Sequence, residues 1–502
     1  MMLVWRKARC LMGATLVCAA LLAPSLAWAQ APCTHYAAPA GSGNGLTAAA
    51  PFRISNFWAV ARPGTTLCLL DGTYTGSSAI IEPPATLHGT AAQPITVRAL
   101  NDGKVLIDAQ GLWAVRLRAQ WWVVEGINAR NGGEFLLSLS GAHNRARRII
   151  GWNGTHGQAD SNIWRVVGHD NTAEDVAGWG DNSRKIFDGA QGGNVGGSGF
   201  RRAWGEWNDH PQGGSQPNAT YQVSYNTGNQ LFENVIGTWN TTGHVARPEA
   251  VMSLSRNCDG ATMQAEGTLV AGSIFYVAPG ASYQPGAVVQ GFCARNFALV
   301  DVVAYVPPDR PRVQPFAFFH GGGQTPTGNT CAGCLGIHAG TPSSNASNAG
   351  WSLPGFREGH GLAAATGGAS AFTLLPGICT RYEGGELTQT PLWPWPMDQR
   401  IKEARVLAGR PPVDVTATIE GLLGPIPAAC RTGGRPPPVA SPAPPPSPPV
   451  ATPLPPPPDP LLATVRQDLA TCRDTLGDLR RRIGDAMQVL EGIVATPAVG
   501  GS

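Results

Sequence analysis

Between Gln93 and Asn153 the apolar positions fall in short runs, not on a helical stripe. ITVRA, VLIDA, VRLRA, WVVEGI and RRIIGW are rich in β-branched residues, and each is about the length of a strand. Turn residues separate them: Asn101-Asp102-Gly103, Ala109-Gln110-Gly111 and Asn131-Gly132-Gly133. Ile107, Ile127 and Ile150 recur roughly one coil apart, and the beat continues around Val176, Arg202, Val235, Val270 and Val302. Coils of about 20–35 residues stacked on one another predict an all-β parallel β-helix, a solenoid that grows by adding coils.

The flanking segments read as caps and a tail. Residues 30–92 are expected to form an N-terminal cap with the first strands, because the open end of a solenoid exposes unpaired edges. Within it, Leu46 to Ala61 fit a short amphipathic helix with Phe52, Phe57, Trp58 and Val60 on its apolar side. The β-helix is expected over 93–380 and a C-terminal cap over 381–430, with a helix from Met397 to Leu407. Prolines around Trp393 and Trp395 forbid a central strand there, and both tryptophans are expected to pack over the last coil. Residues 431–460 read as a polyproline II linker. Residues 461–494 carry an unbroken heptad, with Leu462, Leu469, Leu476, Ile483 and Leu490 on one seam position. Val465, Cys472, Leu479, Ala486 and Ile493 take the other, which predicts a coiled coil, a homo-oligomer and an interchain disulfide at Cys472.

Composition changes the picture in three ways. The chain has 64 Gly and 44 Pro in 502 residues and only 14% charged residues, which favours turns and strands over helices. A net charge of +3 is too small to point to nucleic acid. Residues 1–29 read as a secretory signal: Arg6, Lys7 and Arg9, then an apolar run from Leu11 to Leu22, then Ala27-Trp28-Ala29. The apolar run is too short for a membrane span, and no later segment is long enough either. The expectation is an exported bacterial protein, periplasmic or extracellular.

Export favours disulfides. Cys33–Cys68, Cys258–Cys293, Cys331–Cys334 and Cys379–Cys430 are the local pairings, although sequence alone does not fix connectivity. Cys331-Ala-Gly-Cys334 also has the spacing of half a zinc or redox site, but no second pair stands near it.

PGTTLCLLDGTYTG (63–76), GTAAQPITVRALNDGKVLID (89–108) and WWVVEGINARNGG (121–133) resemble the N-terminal signature of secreted right-handed β-helix proteins. That pectate-lyase-like group includes chondroitinase B-like and alginate-lyase-like polysaccharide lyases. The resemblance implies a right-handed β-helix acting on an acidic polysaccharide by β-elimination. Such a reaction needs a base for the C5 proton, a cation for the enolate and a proton for the leaving oxygen. In this group the base is often Lys or Arg and the cation often calcium. The chain lacks the acidic-plus-lysine strand motif that marks the alginate-lyase-like catalytic coil.

Residues 134–250 hold the polar candidates. Of the four lysines, Lys185 lies mid-solenoid beside Arg184 and is the candidate base. Arg201 and Arg202 come about one coil later, though a strand would point them to opposite faces, and His210 is the candidate acid. Asp181, Asp188 and Asp209 are the candidate calcium ligands. Arg184, Trp179, Trp204 and Trp207 are the candidate sugar contacts, through charge-assisted hydrogen bonds and ring stacking. The same residue types also fill solenoid turns and interiors. Two other readings stay open: a non-catalytic glycan-binding envelope protein, and a glycoside hydrolase using paired carboxylates among Asp170, Asp181, Asp188 and Asp209.

Overall fold

The computed structural model describes residues 32–432 except 155–161, 182, 190–195, 210–217, 224–227, 242–247, 255–265, 282–284, 292–294, 319–326 and 344–349. The signal segment, residues 433–460 of the linker, the heptad segment with Cys472, His210 and the Cys258–Cys293 pair lie outside the described residues. The chain divides into two units, 1–439 and 440–502, and the first holds the solenoid.

Each coil contributes strands to three parallel ladders. The first ladder runs from His35–Ala37 through Thr66–Leu69, Ile95–Ala99 and Trp122–Glu125 to Trp351–Ser352. The second runs from Gly72–Thr75 through Val105–Asp108 and Ile127–Gly132 to Arg357–His360. The long strands Thr172–Asp181 and Gly199–Asp209 belong to both, which joins them into one 21-stranded sheet. The third is an 8-stranded sheet from Val115–Leu117 to Gln314–Phe318. This is the parallel β-helix that the apolar beat predicts.

The corner between the first and second ladders explains part of that beat. Gly126, Arg148, Asp175, Arg202, Asn234, Gly272, Asp301 and Gly333 all have positive φ and occupy this corner on successive coils. The N–H of Asn234 bonds Ala271 O, that of Gly272 bonds Val300 O, and that of Asp301 bonds Ala332 O. Glycine, asparagine and aspartate tolerate this left-handed backbone, but arginine seldom adopts it. Arg202 is held there, 2% exposed, by Asp175 at 2.7 Å, Glu174 at 2.6 Å and Glu383 at 3.3 Å. Arg202 is thus a corner residue and not a core position. Val176, Val235 and Val302 do lie in the core. Ile107 pairs with Ala129 and not with Ile127, whose partner is Val105, and Ile150 pairs with Asn128. The observed register therefore differs from the expected isoleucine beat by one or two residues.

The N-terminal segment carries first strands with a shorter helix than expected, and the C-terminal segment takes a different path. Strands of residues 35–75 already belong to the ladders, so the N-terminal segment is largely the opening coils themselves. Its helix is only Ile54–Phe57, with Phe52 and Phe57 buried but Leu46 and Val60 exposed. At the other end the parallel strands stop at His360. Residues 362–432 then run back along the outside of the second ladder as a strap. Arg400 bonds Asp102 and Asn128 in the early coils, and Asn234 donates to Gly377 O and accepts from Tyr382 N. The helix Asp398–Leu407 forms nearly where expected. Trp393 and Trp395 pack on each other and on Phe372, in an apolar cluster that runs from Trp152, Trp179 and Trp204 to Leu335 and Ile337 of the late coils. Three expected disulfides form: Cys33–Cys68, Cys331–Cys334 and Cys379–Cys430, the last within the strap. Both cysteines of Cys331-Ala-Gly-Cys334 are thus committed to each other and buried, which leaves no thiolate for metal.

One strap contact carries a pH dependence. Gly377 N–H donates to Asp301 at 2.8 Å, yet burial pushes the Asp301 carboxyl up to about 6. The folded state therefore binds this proton more tightly than the unfolded chain, whose Asp titrates near about 3.9. The contribution is complete below the unfolded value and is lost as pH rises through about 6. Hydrogen-exchange protection around Gly377 should fall across that window, and Asp301→Asn should flatten the profile. An identical profile in the variant would assign the effect elsewhere.

Candidate functional site

The third ladder is built from a repeated tetrad. FLLS (135–138), NIWR (162–165), KIFD (185–188), ATYQ (219–222), AVMS (250–253) and AVVQ (287–290) stack in register. The two central residues of each point inward. Trp164, Phe187 and Tyr221 stack in the core at 6.2 and 4.6 Å, while Ile163 and Ile186 meet Gly178 of the second ladder. The first and fourth residues therefore share the outer side, three apart. The Lys185 amine lies 3.0 Å from Asp188 Oδ1, and the Arg165 guanidinium lies 4.7 Å over the Phe135 ring.

Two outer rows result. One holds Phe135, Asn162, Lys185, Ala219, Ala250 and Ala287. The other holds Ser138, Arg165, Asp188, Gln222, Ser253 and Gln290. Adjacent coils are about 4.8 Å apart, so each row is an axial track. The track is buried around its centre: Lys185 and Asp188 are each 2% exposed and Arg184 is 4% exposed. Asn162 Oδ1, Ser183 Oγ and Gln222 Oε1 are buried without a hydrogen-bond partner. Buried polar atoms are normally satisfied, and comparable unpartnered atoms also lie elsewhere, at Trp179 Nε1, His338 Nδ1 and Ser370 Oγ. Burial lowers the Lys185 pKa; Asp188 opposes that shift, while Arg184 and Arg165 reinforce it. A buried amine that loses its proton more readily is suited to act as a base.

The other two candidate lysines serve the strap. Lys104 is exposed and faces Glu403 at 3.7 Å, and Lys402 pairs with Asp414 at 2.6 Å. Lys185 is thus the buried lysine among the described residues.

Several sequence candidates lie elsewhere. Arg201 is on the first ladder, 2.7 Å from Glu233, and Arg202 is in the αL corner; the register partner of Lys185 on the following coil is Ala219. Neither arginine joins Lys185, because the coil returns to the first ladder before reaching them. Trp179 and Trp204 lie under the strap, with Trp179 stacked on Trp152 at 5.4 Å. Trp207 is inside the solenoid, stacked on Trp239 at 4.2 Å and donating to Arg184 O at 3.2 Å. Trp179 and Trp204 lie beneath Arg405 of the strap and Trp207 packs in the solenoid core, so none offers a face to a sugar. Trp179→Ala should instead cost about 3–5 kcal/mol of stability, the cavity cost of a buried Trp, while leaving glycan retardation in affinity gels unchanged. Weakened retardation in protein that is still folded would restore it as a contact.

Asp188 pairs with Lys185, whereas Asp181 and Asp209 are backbone partners at the ends of two joint strands. Their side chains lie outside the described residues, and among the described residues no three acidic, His or Cys side chains converge on a metal position. Asp170 sits in a turn with φ of 53° beside His143, away from Asp188 on the third ladder. These two do not make a hydrolase pair. The polar partners missed in the sequence, Asn162, Arg165, Gln222, Ser253 and Gln290, were signalled by the tetrad repeat.

No helix among the described residues is long and apolar enough to cross a membrane. No protein-family model matches the chain, and no curated protein matches its sequence. Among solved structures, the chain is similar to the pectate lyase Pel9A, at 14% identity and a TM-score of 0.40 over 64% of this chain and 77% of that one. It is also similar to a PL6 family polysaccharide lyase from Pseudopedobacter saltans, at 13% and 0.36 over 66% and 95%. An alginate lyase from Paenibacillus sp. gives 14% and 0.34 over 58% and 95%. At such identities the assignment of a parallel β-helix rests on the three parallel ladders of the chain itself.

Proposed function

We propose that this is an exported protein that binds an acidic polysaccharide along the third ladder and cleaves it by β-elimination. The observation that supports this most is the buried Lys185–Asp188 pair, flanked by Arg165 and Arg184 on a track with unpartnered polar atoms. In the proposed reaction the neutral Lys185 amine takes the C5 proton of a uronate. The electron pair forms the C4–C5 double bond, the C4–O bond breaks, and the departing oxygen is protonated, a role proposed for His210. Arg184 and Arg165 supply positive charge for the enolate.

The test is ultraviolet absorbance of unsaturated uronides. Mature protein would be incubated with alginate, pectate, chondroitin and heparan-type chains. Calcium is varied because Asp181 and Asp209 are partners on adjacent coils. A rising signal supports elimination. Silence on every polymer, with retained retardation in glycan-containing gels, would replace the enzyme with a binding rod.

A further inference from the structure

A second concave space lies on the outside of the first ladder. Ala173, Phe200 and Phe232 of that ladder point into the core, so their strand neighbours point outward. In one outer row Arg145, Thr172, Gly199 and Leu231 follow one another on successive coils. Gly199 has no side chain and leaves a gap between Thr172 and Leu231. The gap is part of a cavity of about 290 Å³, bounded also by Asp170 at the corner and by Gly384 of the strap. The neighbouring outer row alternates in charge: Glu125, Arg147, Glu174, Arg201 and Glu233. Arg201 lies 2.7 Å from Glu233 and 3.6 Å from Glu174, and Glu233 also accepts from the Gly385 N–H of the strap. This row therefore cancels its own charge beside the cavity. On the corner side Asp170 lies 3.4 Å from His143, which stacks on Trp121 at 4.1 Å.

We infer that this cavity binds a single uncharged sugar ring, at a site separate from the third ladder and independent of any cleavage there. Size and charge balance make the choice. The volume is at the small end of ligand sites, which suits one ring and not a chain. An anion would have to draw Arg201 away from Glu233 and would face Asp170, while a cation would face Arg145 and Arg201. A sugar hydroxyl both donates and accepts. Asp170 can accept from it, Arg145 can donate to it, and the Thr172 hydroxyl can do either. Leu231 supplies an apolar wall for the C–H face of the ring.

The experiment is saturation-transfer NMR on the full chain. The probes are the methyl glycosides of glucose, galactose and N-acetylglucosamine, with methyl glucuronide as the charged control. At least one uncharged glycoside should bind with a Kd of about 1–10 mM, and the glucuronide at least about fivefold more weakly. Thr172→Phe places a ring in the cavity from the outer side of a strand and should abolish the signal. Gly199 is not a usable position, because a Cβ there would meet Leu231 O at 1.8 Å. Asp170→Asn keeps a residue that tolerates the φ of 53° and should weaken binding about fivefold by removing a charged acceptor. Absence of transfer from every uncharged glycoside, or glucuronide binding at least as tight, overturns the inference. A signal that survives in folded Thr172→Phe does the same. If Thr172→Phe does not fold, Asp170→Asn decides alone, and an unchanged Kd there counts against the site. None of these readouts depends on uronide formation, so this inference and the elimination reading stand or fall separately.

Discussion

Lys185→Ala is expected to remove β-elimination by about 10²–10⁴-fold, the usual contribution of a positioned general base. Retardation by the glycan should fall much less, because Arg165, Arg184 and Gln222 remain. The pH profile gives a sharper readout. A lysine base works only when neutral, so the rate should rise with pH and level off. Burial lowers the Lys185 pKa, which puts the rise below the ordinary lysine value of about 10.4. Asp188 is the partner that holds the proton on Lys185, by charge and by a hydrogen bond at 3.0 Å. Asp188→Asn should therefore move the rise to still lower pH while the plateau persists. A structural ion pair would behave differently: both variants would lose folded protein, and the pH position of any residual rate would stay where it was. Retained activity in Lys185→Ala would remove this residue from the chemistry.

Arg405→Ala is expected to loosen the strap by about 3–5 kcal/mol. Arg405 reaches from the helix Asp398–Leu407 to Glu206 at 2.9 Å, with both side chains at most 5% exposed. Its guanidinium also lies 5.6 Å from the Trp179 ring and 5.9 Å from the Trp204 ring. Removing the cation leaves Glu206 buried with only neutral donors among the described residues, Asn208 at 2.7 Å and Asn240 at 3.4 Å. An unpaired buried carboxylate is the costly outcome; replacing both partners by neutral groups is not. Arg405→Met combined with Glu206→Gln should therefore recover most of the loss. The measurement is hydrogen exchange over 362–432, since the strap can open without the coils unfolding. A change below about 1 kcal/mol in the single variant would mean that the pair is solvated and contributes like a surface bridge.

The tetrads show how much of the site was legible. NIWR, KIFD, AVMS and AVVQ are visible in the sequence as two apolar residues between polar or small ones. Ordinary strand alternation would put Lys185 and Asp188 on opposite sides. The third ladder turns two consecutive residues inward, so positions three apart share a face. Lys185 could be singled out from the scarcity of lysine, but its partner could not be read under period-two alternation. Arg201 and Arg202 failed for a related reason: being one coil on in sequence does not mean the same ladder. The tryptophans failed because no local signal told that a segment some two hundred residues later would lie on them.

By itself the sequence determined what is local and repeated. Short β-branched runs parted by Asn, Asp and Gly permit little besides strands and corners, and runs that repeat without helices between them must stack on one another. Cys33–Cys68 and Cys331–Cys334 fit the same regularity, whereas Cys379–Cys430 closes the strap. Tertiary structure decided what depends on long-range contact: the path of residues 362–432 along the second ladder, the burial of Trp179 and Trp204, and the burial that lowers the Lys185 pKa. Those outcomes come from surfaces meeting across hundreds of residues, and local pattern carries no record of which surface a distant segment will cover.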